Sequence, residues 1–347
     1  MRLVLDGWSA YQYWMSVAQR PPAMRHGPHS DLTSFEEVSC RALASMLARA
    51  DGQARPLELI VRGQSERRQS NLITCRSLGS TRSLPPNSMY TIGDGLYVVS
   101  PELLVLRLAT QLPYLEFLRA FTDLMGIFAF AFDSRQDLVS RKPILTKGDL
   151  RSYLSCAQQL PGSKLVSRTI NHVVERSASP RETSMDLELS LPTKAGGQGM
   201  PPFEANREFK DLPEEAKRLI KKSYLVADAA WPDDGPVIEY NSSKHHDTEE
   251  QKEFDFDKIA AMQCAGRTVI PLSTHNYNSY DSFAVVVQRV RKLLGHRDRY
   301  SDAVEGKRRD LHERLLHIER VQRESASLSE LACWNFLLPR LLSEGEF

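Results

Sequence analysis

The segment 224–241 limits the possible folds more than any other part of the chain, because it predicts a β-hairpin. Two mainly apolar runs, 224–231 and 236–241, are rich in residues that favour strands, and they flank the turn-forming residues 232–235. Strands joined by so short a turn lie side by side and antiparallel. The chain must therefore contain a sheet, and we expect this hairpin to be part of it.

The hairpin carries acidic residues in an apolar setting. If Trp231 faces Pro236 across the turn, Asp228 lies opposite Glu239, with Cβ atoms about 5 Å apart. Like charges at that distance are destabilising unless they share a proton or a cation. Oxygen ligands without a nearby cysteine favour Mg²⁺, which could activate water for phosphodiester hydrolysis. Asn241 shares the face of Glu239, whereas a one-residue slip of the register would separate the two acids.

The elements around the hairpin predict an α/β domain over residues 177–295. Downstream of the hairpin we predict a helix over 249–265 that ends at Gly266, a strand over 268–272 and a helix over 283–294. The glycine-rich segment 196–199 follows no clear strand, so we interpret it as a turn and not as a phosphate-binding loop.

A helix begins upstream of the hairpin, at Ser179. Ser179 suits the cap, Pro180 the first helical position and Glu182 the third, where its side chain can complete a capping box. Glu182 is therefore either a capping residue or a capping residue that also belongs to an active site, and the sequence leaves both roles open.

The first 135 residues predict a second, mixed α/β domain. The predicted strands are 2–5, 57–61, 72–75 and 96–99, and the predicted helices include 34–50 and 103–112. Residues 136–176 predict a helical linker, and residues 296–347 a helical extension with a capping box from Ser327 to Glu330.

The formal net charge of +1 hides an uneven distribution of the 45 basic and 44 acidic residues. Residues 226–257 hold ten acids and two lysines, whereas 41–82 holds eight basic residues against three acids and 289–323 eleven against six. A uniformly basic nucleic-acid coat is excluded. The pattern fits a metal-dependent enzyme acting on a polyanion, and it equally fits ordinary solvated helix faces.

Three features predict a cytoplasmic protein. The longest apolar run, 124–132, is nine residues long, whereas a membrane span needs about 20. An acid already at position 6 is also unlike a signal peptide. Five widely spaced cysteines match neither a disulfide framework nor a zinc site.

The region 177–295 resembles the PD-(D/E)XK nuclease superfamily, and within it the very-short-patch-repair-endonuclease-like domain. The resemblance rests on the stretches 177–182, 227–232 and 238–246 and on the spacing of Asp255, Lys258 and Gly266. It implies a restriction-endonuclease-like mixed sheet flanked by helices and Mg²⁺-dependent cleavage of DNA. Carried over position by position, it implies that Glu182, Asp228 and Glu239 hold the metal and that His246 assists proton transfer.

Asn241 departs from this pattern, because relatives commonly carry Asp or Lys two residues after the Glu. An amide can neither act as a base nor carry charge. Lys244 lies close in sequence and could compensate, whereas the substitution could also mark a domain that binds without cutting. Asp255 and Lys258 predict an i,i+3 pair that braces the site.

The N-terminal domain more weakly resembles the AbiEi-type antitoxins of abortive-infection systems, chiefly over residues 95–104. That resemblance implies a regulatory or protein-binding role. The leading hypothesis is a metal-dependent endodeoxyribonuclease that acts in phage defence or in a toxin-antitoxin system. The alternatives are a non-catalytic antitoxin-like regulator with a degenerate nuclease fold, and a structural interaction domain without a nucleic-acid role.

Overall fold

The structure is a computed structural model, and the description covers only part of the chain. The described residues are 3–17, 56–61, 69, 73–77, 84–93, 96–130, 138–220, 223–232, 234–241, 249–296 and 301–325. The predicted helix over 34–50 and the predicted capping box from Ser327 to Glu330 lie outside them. No helix within these ranges is long and apolar enough to cross a membrane.

The chain divides into two compact units. The first comprises Met1–Asn171 with Arg320–Phe347, and the second comprises His172–Glu319. The predicted linker, 136–176, falls mostly within the first unit, whereas most of the described part of the predicted C-terminal extension falls within the second.

The first unit contains a mixed five-stranded sheet in the order β3-β2-β1-β5-β4. Its strands are β1 Leu3–Leu5, β2 Leu57–Val61, β3 Ile73–Ser77, β4 Met89–Gly93 and β5 Leu96–Val99. β1 pairs with β5, and β2 with β3, in parallel, and the other two pairs are antiparallel. A second, two-stranded sheet pairs β6 Phe128–Phe130 with β7 Leu138–Ser140.

Five helices belong to the first unit within the described ranges. They are α1 Gly7–Ser16, α2 Pro101–Gln111, α3 Tyr114–Leu124, α4 Lys147–Cys156 and α5 Ser163–Thr169. The predicted strand–cap–helix unit is confirmed, because Ser100 accepts a hydrogen bond from the Leu103 amide and Pro101 opens α2.

The second unit contains a four-stranded sheet in the order β11-β10-β9-β8. Its strands are β8 Glu204–Phe209, β9 Leu225–Ala230, β10 Val237–Asn241 and β11 Val269–Ser273. β8, β9 and β10 are antiparallel, whereas β10 and β11 are parallel. The predicted hairpin and the predicted third strand are therefore confirmed as a mixed sheet, and β8 is a strand that the sequence did not predict.

Helices accompany this sheet and cover both of its faces. They are α6 Pro180–Ser190, α7 Glu214–Leu219, α8 Glu249–Cys264, α9 Thr274–Asn278, α10 Tyr280–Leu293 and α11 Asp302–Ser325, with a 3-10 turn at Thr193–Ala195. One apolar cluster joins side chains of α6 and α10 to Ile238 and Ile270 of the sheet. A second joins α7 and α8 to Val237 and Val269. Val237 and Ile238 are adjacent on β10 and point into opposite clusters, so the sheet lies between two layers of helices. Burying each such aliphatic side chain contributes about 1.5–3 kcal/mol to this arrangement.

The glycine-rich segment is a turn that packs closely against the rest of the second unit. A Cβ on Gly197 would lie 2.0 Å from the carbonyl oxygen of Leu191. Gly196 has a φ of +86° and would place a Cβ 2.6 Å from the carbonyl oxygen of Lys307 on α11. These glycines therefore permit close backbone contacts.

Candidate functional site

The hairpin has the register that the sequence predicts. Val237 pairs with Ala230, and Ile238 pairs with Ala229. Continuing this register by one position brings Asp228 opposite Glu239, as expected from the turn length. Glu239 is 3% exposed, whereas Asp228 is only partly buried.

The ladder is irregular on both sides of Asp228: the pairs with β10 end before it, and the pairs with β8 skip it. The backbone amide of Tyr240 donates to Oδ2 of Asp228 at 2.6 Å, although a regular ladder would direct it to the carbonyl of Ala227. On the other side, the pairing of β8 with β9 runs through Ala205 and Arg207 but omits Asn206, which has a φ of +48°. The sheet therefore opens around the Asp228 carboxylate.

Glu239 and Lys258 form an ion pair between β10 and α8. The Lys258 ammonium donates to Oε2 of Glu239, and Oε1 is buried with no hydrogen-bond partner within the described part of the chain. Burial raises the pKa of Glu239 to about 8, the Asp228 charge adds to the rise, and Lys258 opposes it. Burial alone would lower the pKa of Lys258, but the charges of Glu239 and Asp228 raise it overall.

Burial also raises the pKa of Asp228, while the charge of Lys258 and the hydrogen bond from Tyr240 oppose the rise. Because the carboxyls interact, their protons belong to the cluster as a whole. Near neutral pH the cluster retains protons, since Lys258 is the one lysine that faces several acids within the described part of the chain.

Glu182 is held by three hydrogen-bond donors. Oε1 accepts from the Ser179 hydroxyl at 2.9 Å, and Oε2 accepts from the Ala178 amide at 2.9 Å and from the Asn206 side chain at 2.7 Å. Ser179 in turn caps α6 by accepting from the Glu182 amide. Both roles that the sequence left open are thus compatible, because Glu182 lies at the cap and also near Asp228. Burial and the Asp228 charge raise the pKa of Glu182 to about 7 against these hydrogen bonds.

Asp186 is a further buried acid one turn along α6, and no sequence pattern marked it as a site residue. Its Oδ2 accepts from the Ser177 hydroxyl at 2.6 Å, and its Oδ1 has no hydrogen-bond partner among the described residues. Burial raises its pKa well above the usual value, the Ser177 bond opposes this, and the charges of Glu182 and Asp228 add to it.

The other predicted site residues are not part of the described cluster. Asn241 is exposed at the end of β10, where its backbone carbonyl accepts from the Thr274 hydroxyl. Lys244 and His246 lie outside the described residues. Lys258, which was expected to pair with Asp255, donates a hydrogen bond to Glu239 in the cluster, and the Asp255 charge also contributes to its raised pKa.

The carboxylate oxygens of the cluster can be compared with the ligands that the predicted Mg²⁺ requires. Within the described ranges no group of three or more His, Cys, Asp or Glu side chains is arranged to hold a metal ion. Mg²⁺ usually binds through one or two carboxylates, with water and substrate phosphates completing its shell. The unsatisfied Oε1 of Glu239 and the carboxylate of Asp228 fit that mode. Glu182 fits it less well, because three donors already occupy its oxygens.

Comparison with protein-family models, with curated proteins and with solved structures found no match for this chain. The α/β class and the mixed sheet thus come from the structure itself. The nuclease-like and antitoxin-like resemblances stay predictions.

Proposed function

We propose that the second unit is a Mg²⁺-dependent endonuclease domain of the PD-(D/E)XK type that hydrolyses phosphodiester bonds in DNA. The observation that carries the proposal is the buried, unsatisfied Oε1 of Glu239, which lies across an opened ladder from Asp228. A buried carboxylate oxygen without a partner is costly unless it binds a proton or a cation. A Mg²⁺ ion bound to Oε1 in the active enzyme would offset this desolvation cost.

In this proposal Asp228 and Glu239 would hold the Mg²⁺. Glu182 would add negative charge beside them, in a position that its three hydrogen bonds fix. When bound, the metal supplies Lewis acidity and a more acidic water. Lys258 would provide the positive charge that Asn241 cannot, because its ammonium already lies at Glu239. A cation there would help to stabilise charge that develops on a phosphate.

The partner in this proposal is DNA, and the basic region 289–323 would contact its phosphates. A protein partner of the first unit, a role in phage defence and a cytoplasmic location are parts of the same proposal. The described cysteines Cys75, Cys156 and Cys264 are in no disulfide bond, which suits a reducing compartment.

A non-catalytic regulator is the second candidate, and two observations favour it. Asn241 occupies the position at which the nucleases that the sequence resembles commonly carry an ionisable residue, and Lys258 already places a positive charge at Glu239 without a metal. Under this alternative the acid cluster would be a remnant, and the unit would bind DNA or a protein without cutting.

Cleavage of supercoiled plasmid and of single-stranded DNA in Mg²⁺ separates the two candidates. We expect the wild type to cut and Asp228→Asn and Glu239→Gln to lose at least 100-fold in rate, since each removes a metal-binding charge. Asp257→Asn is the matched control, because Asp257 is an exposed acid on α8. Equal rates in all four proteins, or no cutting by the wild type, would exclude the enzyme.

A further inference from the structure

Asn206 lies at the one position where the pairing of β8 with β9 is interrupted before it resumes in the same register. Its neighbours Ala205 and Arg207 pair with Ala229 and Ala227, so the position facing Asn206 is that of Asp228. Asn206 is 6% exposed and has a φ of +48°, in the left-handed region. Residues other than glycine are uncommon there, and such conformations persist where the surrounding structure holds them in place.

The Asn206 side chain connects two parts of the site. Its Nδ2 donates to Oε2 of Glu182 at 2.7 Å and to the backbone carbonyl of Arg176 at 3.0 Å. Both amide hydrogens are thereby used. Arg176 also has a positive φ, of 75°, and it directly precedes the segment that caps α6. Two residues in a rare backbone conformation are therefore joined by a hydrogen bond beside the acid cluster.

Asparagine suits both the left-handed backbone at this position and the two hydrogen bonds that the side chain donates. Asparagine tolerates the left-handed region better than most residues, and its amide supplies two N–H donors. Glycine would tolerate the backbone but would supply no donor, whereas aspartate would place a further acceptor next to Glu182. The backbone and the side chain of Asn206 thus serve separate purposes, which substitutions can distinguish.

We propose that Asn206 is a positioning residue, which orients the Glu182 carboxylate toward Asp228 and interrupts the β8–β9 ladder so that the Asp228 carboxylate stays accessible. This inference rests on the proposed nuclease activity. Loss of a hydrogen-bonding partner behind a metal or catalytic ligand typically lowers metal affinity or activity 10–100-fold. We expect a loss of that size when the Asn206 amide is removed.

The test is Asn206→Gly, which keeps the left-handed backbone and removes only the amide. In plasmid cleavage we expect kcat to fall 10–100-fold, with KM for DNA within twofold and a higher Mg²⁺ concentration at half-maximal rate. Asn206→Asp should lower kcat at least as much, because it replaces donors with an acceptor. A circular-dichroism melt verifies that each variant is folded.

Asn87→Gly is the matched control, because Asn87 is an exposed asparagine in the first unit with a φ of 62°. Its kcat should equal that of the wild type. An active wild type with unchanged kcat in Asn206→Gly would overturn the positioning role and leave the proposed function standing. A wild type that does not cut refutes the proposed function itself. In either case, Asn206 side-chain amide NMR signals that do not shift in Glu182→Gln would refute the contact.

Discussion

Replacing Lys258 with methionine should destabilise the second unit by an amount that depends strongly on pH. Lys258 is the positive charge at the buried Glu239 carboxylate, and its charge also opposes the rise in the pKa of Asp228. Methionine keeps much of the volume of the stem but removes the ammonium. The variant therefore leaves buried acids without this counter-charge, while the packing of α8 on the sheet changes little.

The size of the effect follows from the protonation state of Glu239. The pKa of Glu239 is raised to about 8, so at pH 6 its carboxyl carries a proton and the lost contact is a hydrogen bond from an ammonium to a neutral carboxyl, worth about 1.5 kcal/mol. At pH 9 the carboxyl is ionised in the wild type. In the variant this carboxyl stays protonated, so the one pH unit above the wild-type pKa adds about 1.4 kcal/mol. The total loss at pH 9 is therefore about 3 kcal/mol, the lower end for removing one partner of a buried ion pair, as suits a Lys258 side chain that is 20% exposed.

The direction of the pH dependence is fixed by linkage. A carboxyl whose pKa is raised by folding contributes stability that is fully present below its unfolded pKa, near 4.5, and is lost as the pH rises through its folded pKa. In Lys258→Met the folded pKa of Glu239 rises further, because a lowering influence has gone. Above about pH 8 the variant therefore continues to lose stability, whereas the stability of the wild type no longer depends on the ionisation of Glu239.

Urea unfolding at pH 6 and pH 9, without divalent cations, measures these differences. A double-mutant cycle with Glu239→Gln should give a coupling above about 2 kcal/mol at pH 9 and well below that at pH 6. Lys217→Met is the matched control, since Lys217 forms an exposed pair with Glu214 and should change stability by less than about 1 kcal/mol at either pH. Equal losses at both pH values, or no coupling with Glu239, would refute the assigned ion pair.

Three further predictions concern the same unit. Asp186→Asn should leave the melting temperature nearly unchanged near pH 4 and raise it at pH 8, because burial raises the pKa of Asp186, so that the folded carboxyl keeps a proton that the unfolded chain has released, whereas the amide binds none; a lower melting temperature at pH 8 would contradict this. Gly197→Ala should cost more than about 1 kcal/mol in urea unfolding because its Cβ would meet backbone, whereas Gly306→Ala in α11, where a Cβ meets nothing within 4 Å, should stabilise by about 0.5–1 kcal/mol. Millimolar MgCl₂ at pH 8 should raise the melting temperature of the wild type but not that of Asp228→Asn, and equal shifts would argue against this metal site.

Local sequence determined much of the second unit. Two apolar runs joined by a short turn were sufficient to place Val237 opposite Ala230, and hence Asp228 opposite Glu239. The cap at Ser179 followed from residues within one helical turn. These features depend on near neighbours in the chain, so pattern and turn length were sufficient to predict them.

Only the tertiary structure decided which residues surround those acids. The strand β8, Glu204–Phe209, has no clear apolar alternation, and the left-handed Asn206 interrupts it, so no periodic signal marked it. Lys258 reaches Glu239, 19 residues away in sequence, because α8 packs across β10, and no local pattern indicated this contact. The sequence placed the acids by the period of a strand, but their burial, counter-charge and hydrogen bonds come from elements that meet only when the helices cover the sheet.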